Sequence, residues 1–289
     1  MANILSLKRR IQAAQNVSKT TRAMQMIAAS KLKKAQEEAL SIRPYVEKLS
    51  QLNINVSTKI DKDFTHPYLK PKVIVNKTLL IALSPDKGLC GGLITNLIRE
   101  FLHFHEKEKN TTYVTVGKKI ESQVSKLKNE VIASFKFGTT LPTFDMVYPI
   151  SRIIDEYYLG EKVDSVKILS TQFSSFFTQK PIITQILPIV LPPQEASDKK
   201  AESLYIFEPD AKEILPSLLK HYLEMTIFHQ LLESYLSEQA SRMITMQNAT
   251  NNAKDIIEDL RLEYNKTRQA KITNEILDIG SGTNVSYKE

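Results

Sequence analysis

The sequence predicts an α/β protein with long helices. Its N- and C-terminal arms should form an antiparallel two-helix coiled coil, with an α/β domain of mostly parallel sheet inserted between them. Three observations predict this. Helix breakers are missing from both ends: glycine is absent from residues 1–87 and 161–279, and proline occurs in 1–66 only at Pro44 and nowhere after Pro216. Both ends carry a narrow apolar stripe at helical spacing. Between them, short apolar runs alternate with amphipathic segments. The expected division is 1–58 for the first arm, 73–207 for the inserted domain, and 209–289 for the second arm and its tip.

The first arm places Ile4, Leu7, Ile11, Ala14, Val17, Thr21, Met24, Ala28, Leu32, Ala35, Ala39 and Ile42 at steps of three and four. That is one face of a helix running from Ile4 into the mid-50s, with Pro44 as a possible kink. Glycine costs about 1 kcal/mol and proline about 3 kcal/mol inside a helix, so their absence permits such length.

In the second arm, Pro216 is expected to separate a short turn from the main helix. Ser217–Ile279 then runs without a breaker, about 95 Å if continuous, with Gly280 as the stop. Residues 218–236 are broadly apolar, as for a helix packed on a domain. Beyond them the stripe thins to Ala240, Met243, Met246, Ala249, Ala253, Ile256, Ile257, Leu260 and Tyr264, then Ile272, Ile276 and Ile279. This is enough for one partner helix. The N-terminal arm is the obvious partner; a trans pairing in a dimer would show the same stripes.

The middle reads strand by strand. "KTLLIAL" is a strand followed by a helix over 92–108, and "TTYVTVG" a strand followed by a helix over 118–128. "VIASFKF" is a strand, with a helix over 144–158 despite Pro149. "DSVKILSTQFSSFF" and "PIITQILPIVL" are longer strands; a polar loop over 192–203 precedes "LYIFEP". Such alternation argues for a mostly parallel sheet with helices on its faces.

Bulk properties narrow the function. One cysteine excludes an internal disulfide. No apolar run reaches the roughly 18 residues of a membrane span. The net charge is +7, and residues 1–36 hold eight Lys/Arg and no acid. A transit peptide has that composition, but the pattern runs on past residue 50 as part of the folded unit. Nucleic-acid binding would want stacking aromatics, and 1–44 has none.

The stretch "SPDKGLCGG", residues 84–92, looks like a phosphate cradle between strand and helix. A P-loop, however, needs a lysine and a hydroxyl after its last glycine. Here Lys87 precedes the glycines, and Gly88, Gly91 and Gly92 do not match G-x-G-x-x-G. Cys90 is expected to be a small buried thiol. His103 and His105, two apart on a helix, point to different faces and make a poor metal pair. Asp255, Glu258 and Asp259 share a face with Lys254 and Arg261, as a solvated charged surface does. No catalytic set, cofactor site or metal site emerges.

Three separated segments carry a family resemblance. They are "RRIQAAQNVSKTTRAMQMIAASKLKKAQ" (9–36), the glycine turn, which is similar to the family's D-R-G-L-C-G-G, and "SEQASRMITMQNATNNAKDIIEDLRLEYNKTRQAKITNEILDIGSG" (237–282). The last includes I-T-x-E-x-x-D-x-x-x-G as Ile272, Thr273, Glu275, Asp278 and Gly282. In these the sequence resembles the gamma subunits of F-type ATP synthases. The resemblance implies a coiled coil with a Rossmann-like domain that holds no nucleotide. It also implies the role of central rotor, which transmits rotation of the membrane c-ring to the catalytic beta subunits and is not itself catalytic. Implied partners are the alpha and beta subunits (the alpha3beta3 hexamer), the epsilon subunit and the c-ring, with no nucleic acid. Implied location is peripheral, on the cytoplasmic face of a bacterial inner membrane; a helix directly after Met1 is expected of a bacterial protein more than of an imported precursor.

The resemblance also assigns residues. Met24 and Lys87 match positions near the acidic loop of beta's C-terminal lobe. Lys87 stands where the family usually has Arg, keeping charge but losing the bidentate fork. Arg268 and Gln269 match the rotor "catch" on beta; Arg242, Thr273 and Glu275 match positions linked to rotor–stator coupling. Each could instead be an ordinary coiled-coil surface residue, and Met24 could be seam packing. Thr283 follows Gly282 where the family usually has Ala, and the 192–203 loop lacks the cysteines of the redox-sensitive chloroplast form. Throwing a two-state equilibrium from 1:99 to 99:1 takes about 5.5 kcal/mol, whereas an exposed ion pair supplies roughly 0–1 kcal/mol. Steric engagement of a stiff rod must therefore carry most of such a drive.

Overall fold

A computed structural model of the chain describes residues 4–58, 66–71, 75–127, 130–189, 208 and 210–285. The "LYIFEP" run apart from residue 208, and the polar loop at 192–203, lie outside the described residues. The elements are α1 (Ile4–Thr58), β1 (Thr78–Leu83), α2 (Leu93–Lys107), β2 (Thr111–Val116), α3 (Lys118–Lys126), β3 (Val131–Phe135), a 3-10 turn (Phe144–Met146), α4 (Val147–Leu159), β4 (Ser165–Phe173), β5 (Gln179–Leu187) and α5 (Ala211–Val285).

The five strands form one sheet in the order β3-β2-β1-β4-β5. β1 pairs parallel with β2 and β4, β2 parallel with β3, and β5 returns antiparallel on β4. All six residues of β1 and of β2 are buried, as expected for parallel strands covered on both faces. One face is packed by α2 and α3, where Leu97, Phe101, Phe104, Ile120 and Val124 meet Leu80, Ala82, Tyr113 and Leu169. The right-handed crossover rule then puts α4 on the opposite face, because the chain reverses direction to reach β4 from the β3 edge.

The chain divides into two compact units, one of residues 29–242 and one of 1–28 with 243–289. The larger unit holds the sheet. Its part of α1 buries Leu32, Ala35, Ala39, Leu49 and Val56, and its part of α5 buries Leu219, Leu223, Ile227, Leu231, Leu232, Tyr235 and Leu236. This matches the broad apolar face expected over 218–236.

The smaller unit is an antiparallel helix pair. The Thr21 and Thr250 hydroxyls hydrogen-bond at 2.7 Å. In antiparallel register, Ile4 then lies opposite Thr267, and every residue from Arg268 to Leu277 is exposed. Met246, Thr250, Ala253, Ile257 and Leu260 form the buried stripe of α5, at steps of four and three. On α1 the shielded positions are Ile4, Leu7, Ile11, Ala14, Gln15, Ser18, Thr21, Gln25 and Ala28.

Four expectations need correction. Val17 and Met24 are exposed and off the seam; Ser18 and Gln25 occupy those levels, because strict three–four alternation outranks hydrophobicity once the helices pair. Ile256, Ile272 and Ile276 are exposed as well, and the polar Thr250 is buried in the stripe instead. Pro216 does not break the helix. It lies in the second turn of α5, where it removes one backbone bond, and the Ser217 hydroxyl donates to Ile214 O at 2.8 Å beside it. Gly280 does not stop α5, which runs to Val285.

Candidate partner-contact site

The turn after β1 sits at the carboxyl end of the sheet, beside the point where strand order reverses between β1 and β4. In doubly wound folds that is where ligands bind. Here α5 lies over that end. The Ser170 hydroxyl donates to Gln230 Oε1 at 2.7 Å, and Phe173 N–H donates to Glu233 Oε2 at 3.0 Å. Thr171 N–H donates to Ser234 Oγ at 3.3 Å, and the Ser237 hydroxyl donates back to Thr171 O at 3.0 Å. A helix, not an open crevice, caps the strand ends.

The turn itself is held from several sides. Ser84 N–H donates to Val116 O at 2.8 Å, and its hydroxyl donates to Gly117 O at 3.1 Å. Gly117 has φ +104°, and a Cβ there would lie 1.9 Å from Ser84 O, so only glycine allows this approach. The Asp86 carboxylate accepts Lys118 N–H at 2.9 Å and Gly138 N–H at 2.8 Å. One acid thus ties the exit of β1 to the exits of β2 and β3, which explains its place in "PDKG".

The turn's carbonyls face inward. Pro85 O accepts Lys119 N–H at 3.3 Å. Arg242 of α5 donates from Nη2 to Gly88 O at 3.2 Å and to Lys87 O at 3.4 Å. The Ser241 hydroxyl donates to Cys90 O at 2.7 Å. Arg242 Nη1 is also paired with Glu238 Oε1 at 2.7 Å, one helical turn back. The Glu238 side chain is only 4% exposed, and its Oε2 has no hydrogen-bond partner among the described residues. Burial pushes its carboxyl above the usual range, with Arg242 pulling the other way. Cys90 is buried and unbridged, and burial raises its thiol.

Lys87 and Leu89 project outward. Leu89 is 60% exposed and has φ +63°, a left-handed conformation that a branched side chain seldom adopts.

Lys87 and Arg242 are thus brought together, though through Arg242's hold on the Lys87 backbone and not as two free cations. Among the other residues singled out by sequence, Arg268, Gln269, Thr273 and Glu275 lie on exposed turns of α5 in the smaller unit. There the Thr273 hydroxyl donates to Gln269 O at 3.0 Å, and Glu275 pairs with Lys271 at 3.6 Å. Met24 is exposed on α1 in the same unit. By the Thr21–Thr250 level it is roughly 30 Å along α5 from Arg268, at 1.5 Å per residue. His105 hydrogen-bonds the Tyr113 hydroxyl at 2.9 Å, a structural role.

Comparison with known proteins gives this geometry its context. A family model described as ATP synthase matches residues 3–285. The chain is 41% identical over 287 residues to the ATP synthase gamma chain of Dehalococcoides mccartyi strain 195, covering 98% of both chains. The chain belongs to the ATP synthase gamma-chain family. It is also 38% identical over 292 residues to the gamma chain of Methylacidiphilum infernorum, covering 97% of this chain and 98% of that one. Its fold is similar to a chain in the cryo-EM structure of the Euglena gracilis mitochondrial ATP synthase, OSCP/F1/c-ring, rotational state 3. That match has TM-score 0.65 at 16% identity, over 98% of this chain and 94% of that one.

Sequence reasoning missed Asp86, Glu238, Ser241 and Leu89. For this gamma-chain relative, Glu238 had a readable signal, since it stands four residues before Arg242 on a helix. Leu89 had none, because nothing in a leucine announces a left-handed backbone.

Proposed function

We propose that this chain is the central-stalk rotor of an F-type ATP synthase. It transmits rotation of the c-ring to the beta subunits of an alpha3beta3 hexamer and carries no catalytic site of its own. The observation that carries this reading is the near full-length likeness to ATP synthase gamma chains. The antiparallel helix pair supplies a stiff element of the kind a shaft needs. Its polar Thr21–Thr250 contact fixes register, which a purely apolar seam would leave free to slip.

In this reading residues 1–58 and 209–289 act as shaft and 73–207 as the domain that meets the epsilon subunit and the c-ring. Met24, Lys87, Arg242, Arg268, Gln269, Thr273 and Glu275 serve the contact with beta. The α5 segment bonded to the end of β4 and to the turn after β1, where an open crevice would otherwise lie, supports a non-catalytic role. No helix among the described residues is long and apolar enough to cross a membrane. The rotor would be held at the cytoplasmic face of a bacterial inner membrane by its partners.

The test is assembly. Purified chain mixed with the cognate alpha and beta subunits should co-elute as one complex that hydrolyses ATP, while the chain alone shows no hydrolysis. A chain that stays separate from alpha and beta would sink the reading.

A further inference from the structure

The least economical feature of the molecule is Leu89. A branched side chain is held at φ +63° and left 60% exposed. Burial does not repay this strain, since Leu89 packs little. Nor is the turn loose enough for the strain to relax. Asp86 bridges two neighbouring strand exits, and Lys119 N–H, Arg242 and Ser241 engage the carbonyls of Pro85, Lys87, Gly88 and Cys90. Strain that a surrounding structure over-determines belongs to sites where position matters. The two side chains the turn directs outward are Lys87 and Leu89, a cation beside an aliphatic knob.

We propose that Glu238 and Arg242 form a buckle that holds the 84–92 turn so that Lys87 and Leu89 make one two-point contact with a protein surface bearing an acidic side chain beside an apolar recess. Arg242 is then a positioning residue that acts through the turn. Its guanidinium is occupied by Glu238 at 2.7 Å and by two loop carbonyls, and its side chain is only 16% exposed. Glu238 fixes the rotamer from one turn back, with its carboxylate withdrawn from solvent. The identification of the partner surface with the stator rests on the central-stalk reading; the buckle does not.

Two measurements test this. Amide hydrogen exchange on the full chain reads the buckle. R242Q and E238Q should speed exchange about tenfold or more at Lys119 and Leu93, whose N–H groups are held by the turn's Pro85 O and Cys90 O; R242K should restore part of the protection, and L89A should leave it unchanged. Equal protection in R242Q and wild type overturns the buckle.

The contact is read in the reconstituted synthase, as coupling ions pumped per ATP hydrolysed. L89A and R242Q should each lower that ratio several-fold. The double variant should be no worse than the worse single, because both act on the same contact. L89G, which relieves the strain, should match or exceed the wild-type Tm and still uncouple. A merely structural Leu89 would give a stabilised and fully coupled L89G, and multiplying effects in the double variant would make Arg242 a contact in its own right. Either result overturns the proposal. If wild-type chain fails to assemble with alpha and beta, the stator reading and the partner assignment fall together, while the exchange data still decide the buckle.

Discussion

Replacing Arg242 by methionine should destabilise the larger unit in a pH-dependent way. Methionine keeps much of the stem volume, so the change isolates the guanidinium. What disappears is a 2.7 Å ion pair and two hydrogen bonds to turn carbonyls. What remains is a Glu238 carboxylate that is 4% exposed and already has one oxygen unpartnered.

Removing one partner of a buried ion pair costs about 3–5 kcal/mol, and the partial exposure of Arg242 places the expected loss near the lower end, about 3 kcal/mol. Glu238 can escape by taking up a proton, at about 1.4 kcal/mol per pH unit above its unfolded value. Its folded value is already raised by burial, and loss of Arg242 raises it further. A raised carboxyl contributes stability that is present below its unfolded value and lost as pH rises through its folded value. The loss in R242M should therefore be larger at pH 8 than at pH 6. Adding E238Q should recover much of it. Urea unfolding followed by far-UV circular dichroism at the two pH values measures both effects. A loss under about 1 kcal/mol that is equal at both pH values would refute this reasoning.

Other outcomes follow from the same structure. G117A should cost about 3 kcal/mol or more in urea unfolding, since its Cβ would lie 1.9 Å from Ser84 O and φ +104° would itself be strained; a change under about 0.5 kcal/mol would mean β1 and β2 need not approach as described. A35L should cost about 1–3 kcal/mol by overpacking a fully buried position, whereas L40A, at an exposed position on the same helix, should stay within about 0.5 kcal/mol. His229 has its pKa lowered, first by burial and then by Arg43, against Glu233 and Glu47. The stability it contributes is present above its unfolded value near 6.5 and lost as pH falls through its lower folded value, so H229Q should flatten that part of a stability–pH profile. T21V should weaken register more than stability, read as broadened cysteine-pair crosslinking between α1 and α5 in the smaller unit.

Much of the fold was legible because its signals are local. The absence of glycine and proline announced long helices, and the alternation of "KTLLIAL", "TTYVTVG" and "VIASFKF" with helical segments announced a mostly parallel sheet. The seam was legible only in outline. Val17 and Met24 are better hydrophobes than Ser18 and Gln25, yet the pairing geometry selects the latter, a choice made by two helices together. Pro216 misled because so near the start of α5 it removes a single backbone bond, which the burial of Leu215, Leu219 and Leu223 around it outweighs.

The site divides the same way. The exposure of Lys87 and the burial of Cys90 followed from a tight strand-to-helix turn. The hold of Arg242 on that turn joins residues some 150 positions apart, which no local pattern reports. It also changes how Arg242 is understood: its position in the family motif suggested a contact with beta, and its geometry shows a side chain engaged within its own chain.

As a central-stalk rotor this chain must turn inside an alpha3beta3 hexamer. Single-molecule observation tests it most directly, with the hexamer fixed to a surface and a bead attached to a cysteine introduced on the 73–207 domain. The bead should rotate in one direction, stepwise, on addition of ATP. A complex that hydrolyses ATP at full rate while this chain stays stationary relative to the hexamer would contradict the rotor role.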